Sequence, residues 1–257
     1  MMLHPVLEQL KALKLEGMLA ALESQNSLPE VKQLNFEERL GLLVDHEMSY
    51  RENKRLKKRL ETAKLKTPAC FEDISYKSTR RLDKSLVLSL ENCQWVREHR
   101  NILITGATGT GKTFLGESFA HKACLKGFTA LSVRLPRFLD ELVQARAEGC
   151  YTKRLIAVSK IDVLCLDDFG ITPFTDQTRR DFLEILDDRY KKRSTIITSQ
   201  LDVKLWHKAI GDATLADAIL DRVVHNSYRF ALEGDTMRKE ETKNKLSNSH
   251  SKKNQEG

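Results

Sequence analysis

A loop of eight residues restricts the fold of this 257-residue chain more than any other feature. Residues 106–113 read G-A-T-G-T-G-K-T, the spacing G-x-x-x-x-G-K-T of a loop that wraps around phosphate groups. The apolar run at 101–105 predicts a buried strand before the loop, and residues 114–126 predict a helix after it. A strand, a loop of this kind and a helix in succession indicate an α/β fold with a parallel sheet.

The loop predicts a binding site for ATP and Mg²⁺. Glycines let consecutive backbone N–H groups surround a phosphate, and the start of the following helix adds partial positive charge. We expect Lys112 to contact the β- and γ-phosphates and the Thr113 hydroxyl to bind Mg²⁺. The alternative is a glycine-rich turn that carries a lysine by chance. The predicted nucleotide-binding residues are Gly106, Ala107, Thr108, Gly109, Thr110, Gly111, Lys112 and Thr113.

A second apolar run ends in two carboxylates. Residues 163–166 are all apolar, which is typical of a strand buried on both faces of a parallel sheet, and Asp167 and Asp168 follow. Ligands of such sheets bind at the carboxyl ends of the strands. We therefore predict that Asp167 holds Mg²⁺ opposite Thr113 and that Asp168 polarises the attacking water. The alternative for Asp168 is an acidic residue that begins a loop.

Composition agrees with one large α/β domain and a smaller one. The hydrophobic fraction of 40% is enough for a core, and no stretch reaches the apolar length of a membrane span. The five cysteines are scattered without a C-x-x-C pair, which favours a reducing compartment. Cys124 and Cys165 fall within apolar elements and are expected in the core. We expect a cytoplasmic protein with no signal peptide and no membrane partner.

Charge is unevenly distributed along a chain whose net charge is +7. Residues 1–50 hold four basic and eight acidic side chains, whereas residues 51–66 hold eight basic and two acidic ones. Such a concentration is typical of a nucleic-acid contact, and a solvated helix face is the alternative. A second basic cluster favours double-stranded DNA and consists of Lys77, Arg80, Arg81 and Lys84. The predicted DNA-binding residues are Arg51, Lys54, Arg55, Lys57, Lys58, Arg59, Arg80 and Arg81.

Changes in composition predict three regions. They are a small all-helical domain for DNA or a partner at residues 1–68, a nucleotide-binding domain at 69–240 and a disordered basic tail at 241–257. Apolar residues at three- and four-residue intervals from Val6 to Leu22 predict a first helix. Asn35 and Glu38 have the spacing of a capping box, and the helix that they open is expected to end near Thr67.

Strands and helices alternate through the large domain, which predicts a three-layer α/β sandwich around a parallel sheet. The predicted strands are 101–105, 128–133, 161–166 and 195–199, and further helices are predicted at 137–148 and 176–192. The last strand is followed by Gln200. If this strand lies between the other two that carry site residues, Gln200 or Ser199 would point at the γ-phosphate.

Two of the arginines after the last predicted strand are candidates for the site. A helix is predicted from Thr214, as its cap, to Val224, with Arg222 near its C-terminal end and Arg238 sixteen residues further on. An arginine at a helix end usually is solvated or pairs with the helix dipole. Alternatively, Arg222 reaches the γ-phosphate of ATP on a neighbouring subunit. The residues alone leave both possibilities open.

Several stretches resemble the IstB family of transposition helper ATPases, relatives of the DnaC-type helicase loaders in the AAA+ class. They are the phosphate loop and residues 85–90, 95–101, 134–136, 166–170, 193–200 and 217–226. The resemblance implies that Arg222 is an arginine finger, that Gln200 stands at the sensor-one position and that Arg238 is similar to the sensor-two arginine. The chain departs from the usual pattern in having Asp-Asp for Asp-Glu and Gln for Asn, which leaves the hydrolysis rate open.

These patterns predict an AAA+ ATPase that uses ATP and Mg²⁺, forms a homo-oligomeric ring or filament on double-stranded DNA and assists a cognate transposase. Its predicted catalytic residues are Lys112, Asp168, Gln200 and Arg222. Three alternatives remain open at this point: a replicative helicase loader, a small-molecule kinase with a phosphate loop, and an ATP-gated scaffold without hydrolysis.

Overall fold

The first part of the chain forms three helices in the computed structural model, which describes residues 3–28, 31, 33–66, 69–76, 78–234 and 236. The helices are α1 (Leu3–Ala12), α2 (Glu16–Ser27) and α3 (Phe36–Ala63). The prediction of a single helix from Val6 to Leu22 is wrong. The chain turns between α1 and α2, where Lys14 has a left-handed φ of 56°. The apolar spacing continues across this turn, so periodicity did not reveal it.

The long helix α3 begins at the predicted capping box, which is confirmed. The Glu38 N–H donates to Asn35 Oδ1 and the Asn35 N–H donates to Glu38 Oε2, each at 2.9 Å. Two N–H groups that the helix itself cannot pair are thereby satisfied. The helix ends at Ala63, because Lys64 adopts a left-handed φ of 51°. Thr67, the predicted end, lies outside the described residues.

A buried carboxylate joins α2 to α3. Glu47 Oε2 accepts hydrogen bonds from the N–H groups of Gly17 (2.7 Å) and Met18 (3.0 Å) in the first turn of α2. Further along, Gln25 Nε2 donates to the carbonyl of Arg39 at 3.0 Å. Because residues later in α2 contact residues earlier in α3, the two helices are antiparallel. The helical character predicted for this region is therefore present.

The chain divides into two compact units, Met1–Arg59 and Leu60–Gly257. The two units meet after residue 59, whereas the boundary predicted from the sequence comes later, after residue 68. Residues 60–66 belong to the second unit, where the backbone N–H of Lys66 donates to Glu117 Oε1 at 3.1 Å. The predicted tail at 241–257 lies outside the described residues.

A parallel sheet of five strands forms the centre of the second unit. The strands are β1 (Asn101–Gly106), β2 (Ala130–Arg134), β3 (Val163–Phe169), β4 (Ser194–Ser199) and β5 (Ser227–Leu232), in the order β2-β3-β4-β1-β5. All four strand pairs are parallel. The predicted parallel α/β fold is confirmed. Strand β4 lies between β3 and β1, which is the position that would point Gln200 or Ser199 at the γ-phosphate. The edge strand β5 was not predicted, because only two of its six residues are buried.

Helices cover both faces of the sheet. They are α4 (Lys84–Ser89), α5 (Gln94–Arg97), α6 (Lys112–Leu125), α7 (Leu135–Ala147), α8 (Tyr151–Ser159), α9 (Asp176–Arg189), α10 (Trp206–Ile210) and α11 (Ala213–Val224), with short 3₁₀ turns at Phe71–Asp73, Ser78–Arg80 and Val203–Leu205. Helix α8 was not predicted. The predicted cap of α11, Thr214, is wrong, because Asp212 caps this helix by accepting the N–H of Leu215 at 2.8 Å.

The core lies between the sheet and its helices. Cys124 on α6 and Cys165 on β3 are fully buried, as predicted. Phe169, at the end of β3, packs against Trp206 with ring centroids 4.3 Å apart, which fixes the strand end that carries the two aspartates. In the part of the chain that the structure describes, no helix has the length and apolar content needed to cross a membrane.

Candidate nucleotide-binding site

The phosphate loop connects β1 to α6 through backbone conformations that favour glycine. Gly106 has a φ of +149° and Gly111 a φ of +86°. A Cβ on Gly106 would lie 2.3 Å from the carbonyl oxygen of Leu232, at the end of β5. Side chains other than hydrogen cannot occupy that position without moving β5. The loop is thus a backbone cradle at the carboxyl edge of the sheet, as predicted.

Side chains of the loop make contacts within the cradle. Lys112 is largely buried, and its Nζ donates to the carbonyl of Ala107 at 2.8 Å. Thr108 Oγ1 donates to Gln200 Oε1 at 2.8 Å, so the residue after β4 lies against the loop. The neighbouring Ser199 is fully buried and its hydroxyl donates to the carbonyl of Phe169 at 2.8 Å. Of the two residues predicted to face the phosphates, the structure therefore places Gln200 at the loop.

Strand β3 brings the buried carboxylate of Asp167 to the start of α6. Asp167 is 4% exposed, and its Oδ1 accepts hydrogen bonds from Thr113 Oγ1 at 2.9 Å and Thr198 Oγ1 at 2.5 Å. Its Oδ2 accepts from Lys66 Nζ at 2.7 Å. The two residues predicted to share a metal ion thus touch each other, and two further side chains complete the cluster.

These contacts keep Asp167 ionised. Burial alone would raise the pKa of this carboxyl, but the ion pair with Lys66 and the hydrogen bonds from Thr198 and Thr113 hold its pKa below the ordinary value. In the same way, burial would lower the pKa of Lys66, and the pairing with Asp167 holds it above its usual range. A carboxylate that is charged at neutral pH is the form that binds a metal cation.

A bulge in β3 lies at the two aspartates, whose side chains have different partners. The register between β3 and β4 shifts between Leu166 and Phe169, and Asp168 has a left-handed φ of 66°. Bulges re-aim side chains next to active sites. Asp168 Oδ2 accepts from Arg134 Nε at 2.7 Å, at the end of β2, and the Asp168 N–H donates to Thr198 Oγ1 at 3.3 Å.

The cluster fits Mg²⁺ bound together with a nucleotide. Mg²⁺ prefers oxygen ligands and usually takes one or two carboxylates, with phosphates and water completing its shell. Thr113 and Asp167 supply a hydroxyl and a carboxylate oxygen 2.9 Å apart. Among the described residues there is no group of three or more His, Cys, Asp or Glu side chains that could hold an ion without such help. The residues therefore suit a metal that arrives with phosphate.

Comparison with known proteins gives the family. The model of IstB-like ATP-binding proteins matches residues 8–245. The insertion sequence ATP-binding protein y4pL of Sinorhizobium fredii is 44% identical over 93% of this chain and 98% of its own. The ATP-binding protein of insertion sequence IS1162 of Pseudomonas fluorescens is 45% identical over 78% of this chain and 87% of its own. This chain belongs to the IstB-like ATP-binding protein family. The resemblance read from the sequence is confirmed.

A solved structure agrees with this family assignment at the level of the fold. The crystal structure of the DnaC helicase loader superposes with a TM-score of 0.53 at 21% identity, covering 64% of this chain and 97% of that chain. At this identity the likeness reports the fold alone. The second unit thus shares the fold of that chain, a parallel sheet with flanking helices, which agrees with the predicted fold class.

Arg222 lies at the opposite edge of the sheet from the phosphate loop of this IstB-like chain. Its carbonyl accepts from Asn101 Nδ2 at 3.1 Å, at the first residue of β1, whereas the loop follows the last. Six strand residues place the two edges on the order of 17 Å apart. The Arg222 guanidinium forms an ion pair with Asp187 and donates to the carbonyl of Ala218 at 2.7 Å. The structure does not bring it to the chain's own loop, and Arg238 lies outside the described residues.

The basic stretch of α3 is partly paired with carboxylates. Arg51 pairs with Glu47 at 2.6 Å, Lys54 with Glu16 at 3.2 Å and Arg59 with Glu52 at 2.5 Å. Paired or not, most of this stretch faces solvent, and its exposed residues are Arg51, Lys54, Arg55, Lys57 and Lys58.

The second basic cluster is split between interior and surface. Arg80 is 4% exposed and donates to the carbonyl of Thr110 in the phosphate loop at 2.9 Å. A guanidinium held there is not presented to DNA, so the structure removes the reason for counting Arg80 among the DNA-binding residues. Arg81 is exposed and pairs with Glu233 at 3.0 Å. Lys77 lies outside the described residues.

Sequence reasoning missed three residues of the site. Lys66 reaches Asp167 across a separation of 101 positions, and no local pattern marks it as different from the other lysines of its basic run. Thr198 and Arg134 end neighbouring strands beside β3. Their position at the carboxyl edge was a usable signal, because polar residues at that edge of a parallel sheet face the ligand.

Proposed function

We propose that this protein is a Mg²⁺-dependent ATPase that assembles with its own copies on double-stranded DNA and assists a transposase. The contact of Thr113 with the buried, ionised Asp167 at the mouth of the phosphate loop carries the ATPase part of this proposal. The names of the curated relatives, which are ATP-binding proteins of insertion sequences, support the transposition part.

The residues of the cradle bind and orient the nucleotide. The loop N–H groups and the start of α6 attract the phosphates, and Lys112 exchanges the Ala107 carbonyl for phosphate oxygens. Thr113 and Asp167 would hold Mg²⁺, which would supply positive charge to stabilise the phosphates. Gln200, which already contacts Thr108 in the loop, is placed to donate its amide to a γ-phosphate oxygen.

Asp168 performs the proton transfer of hydrolysis. A water oxygen attacks the γ-phosphorus, the bond from that phosphorus to the bridging oxygen of ADP breaks, and the water proton passes to the Asp168 carboxylate. The contacts of its side chain support this role, because Asp168 Oδ2 accepts from Arg134, whereas the Asp167 oxygens accept from a separate cluster of side chains. Arg134, 2.7 Å from Asp168, orients the carboxylate.

Two substitutions test the ATPase. Lys112→Ala is expected to abolish tight ATP binding, and Asp168→Asn is expected to keep binding and lose hydrolysis by about a hundredfold or more, since it removes the proton acceptor and keeps the shape. ATP binding and phosphate release would be measured on the same preparations. Asp45→Asn, at an exposed carboxylate on α3, is the matched control and should behave as the parent. Parental turnover in Asp168→Asn would exclude Asp168 as the base.

Arg222 completes the site of a neighbouring copy. Its position at the amino edge of the sheet and its exposed partner Asp187 support an action between subunits rather than within one. Arg222→Ala and Lys112→Ala should each be inactive alone, and mixing them should restore part of the turnover, because some junctions then pair an intact loop with an intact finger. If mixed oligomers form and no ratio restores any turnover, Arg222 does not act in trans.

The exposed basic residues of α3 bind DNA phosphates. Neutralising Arg55, Lys57 and Lys58 to Gln should weaken duplex binding without changing its sequence preference. It should also flatten the slope of log affinity against log salt by up to about 0.9 for each phosphate that the variant no longer neutralises. A control that neutralises the exposed Lys204 and Lys208 should leave the slope in place. An unaltered slope in the triple variant would assign these residues to a solvated helix face.

A further inference from the structure

A buried cation lies directly behind the phosphate loop. Arg80, in the short turn Ser78–Arg80, is 4% exposed, and its guanidinium donates to the carbonyl of Thr110 (Nη2, 2.9 Å) and to the carbonyl of Ser75 (Nη1, 2.6 Å). Thr110 is a residue of the cradle itself. The side chain thus joins the segment that precedes β1 to the loop that follows it.

This cation has no counter-charge among the described residues. No carboxylate of that part of the chain forms an ion pair with Arg80, and its Nε is buried without a hydrogen-bond partner there. Burial lowers the pKa of Arg80 below its ordinary value, as expected for a cation that is removed from water. A buried charge without a partner is costly, so its place beside an anion-binding loop requires a reason.

The direction of the peptide between Thr110 and Gly111 supplies that reason. The described residues contain no cis peptide bond, so the carbonyl of Thr110 and the N–H of Gly111 point in opposite directions from one planar unit. A guanidinium that holds the carbonyl from behind therefore aims the N–H away from itself, towards the inside of the loop. A hydrogen bond to the carbonyl also polarises the peptide and makes its N–H a better donor.

The backbone of this turn is itself fixed from the other side. The Glu233 N–H, just after β5, donates to the Arg80 carbonyl at 3.2 Å. A Cβ on Gly234 would lie 2.8 Å from the carbonyl oxygen of Thr79, so the chain after β5 passes close to the turn. Arg80 therefore acts from a rigid support rather than from a free surface loop.

We propose that Arg80 is a positioning residue of the nucleotide site, which aims the Gly111 N–H at the phosphates and places behind the loop a positive charge that the polyphosphate compensates. This inference rests on the proposed ATP binding. It assigns to Arg80 a role in nucleotide affinity rather than in contact with DNA.

Arg80→Gln tests the proposal, with Arg80→Lys as the conservative variant and Arg81→Gln as the matched control. Arg81 is the adjacent arginine, exposed and paired with Glu233. Titration with a fluorescent ATP analogue should show about a tenfold or larger loss of affinity in Arg80→Gln, since this variant removes both the charge and a hydrogen bond from a charged group. Arg80→Lys keeps the charge and one donor and should lie in between, and Arg81→Gln should bind as the parent.

A second measurement separates positioning from support of the fold. The rise in melting temperature on adding ATP should shrink in Arg80→Gln, whereas a residue that only supports the fold would lower the melting temperature without ATP and leave the rise unchanged. The proposal would be overturned if Arg80→Gln bound the ATP analogue with parental affinity and showed the full rise in melting temperature on adding ATP. If Arg80→Gln does not fold, the same measurements are made on Arg80→Lys, and parental affinity of this variant for the ATP analogue would refute the proposal. Absence of ATP binding in the parent would instead refute the proposed function.

Discussion

Replacing Thr198 by valine removes one hydroxyl from the centre of the site while preserving the shape of the side chain. Thr198 is fully buried on β4, donates to Asp167 Oδ1 at 2.5 Å and accepts the N–H of Asp168 at 3.3 Å. Valine can do neither. The substitution therefore leaves a buried carboxylate with one donor fewer and one backbone N–H without its partner.

The expected loss of stability at neutral pH is about 2 kcal/mol. A hydrogen bond to a charged group contributes about 1.5–3 kcal/mol, and the added methyl group offsets part of it, by up to about 0.8 kcal/mol. The second unit has the size at which 1 kcal/mol changes the melting temperature by about 2–4 °C. We therefore expect the variant to melt about 4–8 °C below the parent at pH 7, in EDTA and without nucleotide.

The loss should depend on pH, with a sign fixed by Asp167. Its pKa is lower in the folded than in the unfolded chain, where an aspartate titrates near 4. Such a group stabilises the fold above its unfolded pKa, and the contribution disappears as the pH falls through the folded pKa. The Thr198 bond is part of that contribution. The difference in melting temperature between the parent and Thr198→Val should thus be constant from about pH 6 to 8 and should become smaller below about pH 4.

Thermal melting across this pH range measures both effects. Ser199→Ala is the control, because Ser199 on the same strand loses a hydroxyl whose acceptor is the uncharged carbonyl of Phe169. Its destabilisation should not change with pH. A Thr198→Val variant that melts within about 1 °C of the parent at pH 7, or whose deficit persists unchanged in acid, would refute the charge-assisted bond between Thr198 and Asp167.

Two further substitutions follow from the geometry of the site. Lys66→Met should lower the Mg²⁺ concentration needed for half-maximal nucleotide binding several-fold, because the ammonium competes with the cation for Asp167, whereas Lys64→Met should not change it. Gly106→Ala should abolish nucleotide binding and destabilise the fold by about 3 kcal/mol or more, since its Cβ would lie 2.3 Å from a backbone oxygen. At Gly127, which has a φ of +94° and open space around it, alanine should cost only about 1–2 kcal/mol, and equal melting temperatures of the two variants would contradict the steric argument.

Sequence reasoning succeeded where the signal is local. The loop at 106–113 and the apolar run before Asp167 each combine a short pattern with an element type, and the contact of Thr113 with Asp167 follows once the two strands share a sheet. Strand β5 and the turn between α1 and α2 were missed for a related reason. Only two of the six residues of the edge strand are buried, and the apolar spacing of the two helices continues across Lys14, so neither a long apolar run nor a break in periodicity marks these features.

Contacts between distant segments could not be read from the sequence. Arg80 and Lys66 belong to a stretch rich in basic residues, and by composition each looked like a surface charge suited to DNA. The fold takes Lys66 to Asp167 and Arg80 to the Thr110 carbonyl. Charge counts record how many basic residues a segment has, and they do not record which of them the chain buries.

The two edges of the sheet constrain how the proposed ATPase site could be completed. The carboxyl edge holds the phosphate loop with Lys112, Asp167 and Asp168, whereas Arg222 lies at the amino edge, on the order of 17 Å away. A strand is rigid along its length, so no rearrangement of side chains brings Arg222 to the loop of its own chain. A second copy whose amino edge faces this loop would supply the cation. Within one copy Asp187 holds Arg222, and a γ-phosphate at such a junction would have to displace that carboxylate, which would link the proposed assembly to the nucleotide that is bound.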